Sequence, residues 1–170
     1  MTLDELKDIV KKENGDYSFE LYSPAFETIM VQDIYVPILN YNTGEKETDE
    51  SKLITPNILS SINSFLNLKK ENFIEELQDE IFRLFNISIE ATSYGQVPDE
   101  LIEEHSNTEA NRIFFGGNNK ETVYNNCRFN IVSYDNENPE KCFTIFTEID
   151  WDLEHGLIIH FADGKFVEIE

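Results

Sequence analysis

The chain has 170 residues, and its 34 acidic against 13 basic side chains give a formal charge of −21 at pH 7. That length fits one domain, residues 1–170, around a single core, and a composition 40% apolar and 12% aromatic holds too much core-forming material for a disordered acidic tail. Charge of this sign repels the phosphate backbone of nucleic acid and anionic lipid surfaces, so neither is expected as a direct partner.

Thr2 and Glu5 have capping-box spacing, Leu3, Leu6, Ile9 and Val10 mark one helical face, and Lys11 and Lys12 stand before Gly15; this predicts a short N-terminal helix over residues 3–13. The first residues carry Asp4 and Glu5 where a secretory leader would carry basic groups. No apolar run approaches the roughly 20 residues of a bilayer span, so the chain is expected to be cytoplasmic. Residues 17–22 and 29–39, rich in aromatic and β-branched side chains, read as strands, the second bent or at an edge because of Pro37. Residues 40–52 contain almost nothing apolar and read as a solvated loop.

Thr55-Pro56 places a cap and a first-turn proline ahead of Ile58, Leu59, Ile62, Phe65 and Leu66, one apolar stripe closed by Lys69 and Lys70. Asn72 with Glu75 opens a second helix bearing Phe73, Ile74, Leu77, Ile81, Leu84 and Phe85. A short acidic helix follows over residues 98–105 with Leu101 and Ile102 inward. Gly116-Gly117-Asn118-Asn119 reads as a turn. The period then becomes alternating, and residues 113–115, 127–134, 143–151, 157–161 and 165–169 read as extended. Asp163-Gly164 is the strongest hairpin signal, since both central residues of a type I′ turn need positive φ. The expected fold is α+β: an antiparallel β-sheet, built as a C-terminal meander, packed against an antiparallel helix pair, with a short N-terminal helix. Cys127 and Cys142 lack the close spacing of a metal or redox pair. Pairing 127–134 with 142–149 puts Cys127 opposite Ile149 and Cys142 opposite Tyr134, too far apart for a bridge.

The most distinctive segment is Asp150-Trp151-Asp152-Leu153-Glu154-His155-Gly156, which holds the only tryptophan and one of the three histidines. On a strand ending at Trp151, Phe143, Ile145, Thr147, Ile149 and Trp151 face one way and Glu148, Asp150 and Asp152 the other. Asp150-x-Asp152-x-Glu154 matches the early positions of a calcium loop. His155 stands where the sharp turn needs glycine, however, and Phe161 stands where the closing glutamate belongs, so no metal is expected. His155 and His160 have no zinc-ligand spacing, and no cofactor motif is present. His155-Gly156 reads as a tight bend, with glycine supplying φ > 0. Trp151 reads as a core anchor.

Trp151-Asp152-Leu153-Glu154-His155-Gly156-Leu157, followed by Asp163-Gly164-Lys165 and Val167-Glu168-Ile169, resembles the W-D-x-E-H-G-L ending of small bacterial domains of unknown function, some of which are regarded as immunity proteins of toxin systems. The resemblance covers about the last 25 residues and implies relatedness and an immunity-type role, with no catalytic residues to carry over. The leading expectation is a non-enzymatic acidic binding protein. Its candidate binding residues are Glu148, Asp150, Trp151, Asp152, Glu154 and His155, and its partner a basic protein such as a toxin, steered by opposite charge. The acidic runs at residues 45–50, 100–104 and 150–154 would supply the surface if they share a side. The alternative is a small enzyme or ligand-binding domain using Asp152, Glu154 and His155.

Overall fold

A computed structural model of the chain describes residues 1–13, 16–35, 54–135 and 138–170. The expected loop at 40–52, the acidic run at 45–50 and the part of the 29–39 strand beyond Tyr35 lie outside these. Among the described residues seven strands form one sheet in chain order: β1 (Lys11–Glu13), β2 (Asp16–Ser23), β3 (Thr28–Tyr35), β4 (Arg128–Asp135), β5 (Cys142–Ile149), β6 (Asp152–Ala162) and β7 (Lys165–Ile169). β4 to β7 form the antiparallel C-terminal meander, and β1 to β3 a second meander. The two join where β3 runs parallel to β4. A parallel pair needs a long crossover, and the chain between these strands carries α2 (Pro56–Leu66), α3 (Ile74–Ala91), α4 (Asp99–Glu104), α5 (Asn107–Phe114) and α6 (Lys120–Asn125). The α+β class, the meander and the short N-terminal helix α1 (Leu3–Ile9) are as the periodicity predicts. No helix of the described residues is long and apolar enough to cross a membrane.

Thr55 caps α2 through its side chain, which accepts from the Ile58 amide, and Pro56 occupies the first turn. Its apolar stripe buries Ile58, Ile62 and Phe65 over β4 and β5. α3 buries Leu77, Ile81, Phe85 and Ile89, one residue per turn, and meets β7, α5 and α6. Under the helices, directly paired Phe143 and Phe161 stack at 5.2 Å, and Phe73 meets Phe161 edge-on at 5.2 Å. At the parallel junction the fully buried Tyr134 hydroxyl donates to Gln32 Oε1 (2.5 Å), while Gln32 Nε2 donates to Met30 O (2.9 Å). The Tyr134 hydroxyl and Gln32 Oε1 satisfy each other only if β3 and β4 hold this register, so that bond specifies the junction.

Several boundaries differ from expectation. The N-terminal helix stops at Ile9: Val10 turns to extended geometry, and Lys11–Glu13 becomes β1 on the edge of β2. Lys69 and Lys70 lie beyond α2, whose C-cap is Asn67, and Lys70 instead pairs with Glu27 at 3.3 Å. Asn72 does not cap α3; it closes a 3-10 turn (Lys70–Asn72), and the helix starts behind Phe73 with no side-chain cap. In α4, Ile102 is exposed and Val97, just ahead of the helix, is buried instead. Residues 113 and 114 are helical and Phe115 is the C-cap, because Ser106 accepts from the Glu109 amide and starts α5. Gly116 to Asn119 do form the turn, but Asn119 then caps α6. A β-bulge between Phe129 and Ile131 slips the expected β4–β5 register by one, so that Ser133 pairs with Thr144. Both cysteines are free.

Candidate functional site

β5 delivers Glu148 to the open face of the sheet and Ile149 to the core, and the chain turns through Asp150 and Trp151 into β6. Trp151 is 3% exposed, its ring 5.1 Å from Phe85 and nearly perpendicular to it. It therefore fixes the turn from beneath, as the core-anchor expectation held. Thr147 pairs with Leu157 while Ile149 pairs with Asp152, so five steps of β6 oppose two of β5. The surplus is a bulge made of Leu153, Glu154, His155 and Gly156.

Two contacts close that bulge. Asp152 Oδ1 accepts from the His155 amide (3.1 Å) and lies 3.1 Å from His155 Nδ1. Gly156 has φ 68°, and a Cβ there would stand 2.5 Å from the Thr147 carbonyl oxygen, so only glycine allows the backbone this approach. The segment thus divides by role. Trp151, Asp152 and Gly156 build the bulge, whereas Leu153 (71% exposed), Glu154 and His155 are what it presents.

The bulge stands between two hollows. One, of about 260 Å³, is walled by Ile131, Phe146, Glu148, Leu153 and His155 on the open sheet face; the other, of about 450 Å³, lies between the bulge and the loop of Ser93, Tyr94, Gly95 and Gln96 after α3. That loop is held by Asn111, whose Nδ2 donates to Ile89 O and Thr92 O (both 2.9 Å), and by Gln96 Nε2, which donates to Asp150 O (3.4 Å). The acidic start of α4, Asp99 and Glu100, follows three residues after Gln96. Burial raises the Tyr94 pKa.

Arg128 tempers the local charge. Its Nη1 is 2.9 Å from Asp150 Oδ1 and its Nε 3.2 Å from Glu148 Oε2, and these bonds hold the guanidinium pKa up, Asp150 contributing most. Glu148 and Asp150 therefore share one guanidinium, while Asp152 and Glu154 line the smaller hollow together with Glu148 and Arg128. Among the described residues no three His, Cys, Asp or Glu side chains converge as a metal site.

A further acidic feature was not singled out from the sequence. A groove of about 860 Å³ runs between α3 and β7, lined by Glu71, Glu75, Glu76, Asp79 and Glu80 with Arg83. Arg83 bonds Glu80 and lowers its pKa, and Lys120 bonds Asp79 at 2.7 Å. The signal was present: Glu75 with Asp79 repeat at i, i+4 on the helix side opposite Leu77 and Ile81, and Glu76 with Glu80 repeat at the same spacing on its flank.

Residues 10–170, from the first strand through the bulge to the last, match the family model described as a domain of unknown function (DUF6985). The chain belongs to that family. The match to DUF6985 spans the whole sheet and every helix except α1, so the bulge belongs to the same domain as the parallel junction. No curated protein and no solved structure matches the chain.

Proposed function

We propose that the chain is an acidic binding protein that captures a basic protein, as an immunity protein neutralises a toxin, and that the end of the sheet around the bulge is where capture begins. The observation that carries this reading is the pair of carboxylates on Glu148 and Asp150 that share the single guanidinium of Arg128, with Asp152 and Glu154 on the adjoining hollow, next to an exposed Leu153 and His155. Glu148 and Asp150 are tied to Arg128, and Asp152 to the amide and ring of His155, which suits a shaped surface more than a reacting centre. A net charge of −21 supports the same reading, since opposite charge raises encounter rates by orders of magnitude over a neutral pair. Trp151 contributes from behind, by holding the turn.

The test uses an arginine-rich synthetic peptide as probe, with association followed by stopped-flow at low and physiological salt. Glu148→Lys with Asp150→Lys should slow association about tenfold, and Arg128→Gln should accelerate it. Glu76→Lys with Glu80→Lys, in the α3 groove, should do less than the first pair. Equal losses from both double variants would show that the sheet end has no special part.

One contact favours a second reading, a small enzyme or ligand-binding domain: Asp152 Oδ1 beside His155 Nδ1 is a carboxylate–imidazole pair at the mouth of two hollows. On that reading Glu154→Gln or His155→Ala abolishes turnover or ligand binding while the melting temperature stays put.

A further inference from the structure

An antiparallel sheet with one solvated face alternates apolar residues inward and polar residues outward. The open face here breaks that alternation along a line. Val31 pairs with Ile131, Ile131 with Phe146, and Phe146 with Ile158. Directly opposed residues project to the same side, so the four make one apolar row across β3, β4, β5 and β6. Val31, Ile131 and Phe146 are 38–40% exposed. Ile29, two residues before Val31, and its partner Tyr22 extend the row at one end. Leu153, on the hollow walled by Ile131 and Phe146, extends it at the other.

We propose that this row is the docking surface for a protein partner whose own contact face has an apolar centre ringed by lysine and arginine. This rests on the acidic-binder reading and names the surface it uses. The charges around the row carry the choice of occupant. Glu20 continues the line on β2 opposite Val31, Glu148 and Glu154 border the hollow, and Glu168 stands opposite His160. Among the described residues, cations on this face are either at the outer strands, Lys11 on β1 and Lys165 on β7, or already engaged, as Arg128 is by Glu148 and Asp150. A second copy of the chain would bring another −21 to the same face, and like charge opposes that pairing. A cationic rim around an apolar centre gains twice, because stable interfaces bury an apolar, aromatic-rich middle inside a polar border.

The experiment is site-specific photo-crosslinking of the full chain in the cells that make it, with benzoylphenylalanine replacing Phe146, Tyr22 or, on the helical layer, Ile102. Any captured protein is identified by mass spectrometry, purified and titrated against the wild type, Phe146→Ser and Val31→Thr. The second substitution keeps a β-branched residue in the strand should the first unfold the chain. Adducts from positions 146 and 22 but not 102 are expected, to a protein with more Lys and Arg than Asp and Glu. Its affinity should fall about tenfold with Phe146→Ser and severalfold with Val31→Thr. The proposal is overturned by crosslinks to a second copy, by no adduct at 146, by an acidic partner, or by affinity indifferent to both substitutions. A basic protein captured only through position 102 removes this face and leaves the acidic-binder reading standing; no basic protein at any position removes both.

Discussion

Gly156 and Gly164 share a left-handed backbone, φ 68° and 73°, but not their surroundings. A Cβ on Gly164 meets nothing within 4 Å, whereas one on Gly156 stands 2.5 Å from the Thr147 carbonyl. Gly164→Ala should therefore cost about 1 kcal/mol, the backbone penalty alone. Gly156→Ala adds a clash with backbone that cannot rotate aside, and about 3 kcal/mol is expected. Urea unfolding of the two variants measures the difference; equal losses would mean that the bulge shifts to relieve the contact. Both turns were legible in the sequence, Asp163-Gly164 from hairpin chemistry and His155-Gly156 from the glycine itself. The length of the bulge was not, because strand pairing is a long-range property and Leu153 to Gly156 alternate no worse than a plain strand. Nor could spacing reveal that Asp150 and Glu148 close on Arg128, twenty or more residues earlier in the chain.

At the level of elements, caps decided what could be foreseen. Thr55-Pro56 announced α2, and the Thr55 oxygen does accept from Ile58. Ser106 with Glu109 and Asn119 with Thr122 carry the same signal for α5 and α6. It was outweighed by the apolar run of Ile113, Phe114 and Phe115, which looks extended over so few residues. Asn72 looked like a cap and is not one, since Phe73 must point inward to Phe26 and Phe161, and the chain makes a 3-10 turn to place it. Thr55→Ala and Asn119→Ala should each lower stability by about 1 kcal/mol. Asn72→Ala, on an exposed turn, should stay within about 0.5 kcal/mol. Chemical denaturation at pH 7 checks all three, and a large loss at Asn72 would restore it as the cap of α3.

Across the whole molecule, protons and salt act on different parts of the balance. Burial raises the thiol pKa of Cys127 from 9.0 to about 12, and raises the hydroxyl pKa of Tyr134 and Tyr124. Each folded value lies above the unfolded one, so the neutral form is what the core stabilises. That contribution is complete below the unfolded pKa, near 9 for the thiol, and is lost as pH climbs toward 12; thermal melts should fall steadily over that range. Salt works at the surface. A charge of −21 repels itself over a Debye length of ~30 Å at 0.01 M salt and only ~8 Å at 0.15 M, so added sodium chloride at pH 7 should raise the melting temperature by a few degrees, roughly 2–4 °C per kcal/mol for a chain this size. The same screening should slow association with the arginine-rich peptide, because the field that destabilises the fold is the one that steers the partner. The two measurements must therefore move in opposite directions along one salt series. If the melting temperature rises while association stays constant, the acidity serves solubility and the carboxylates around the bulge have no part in capture.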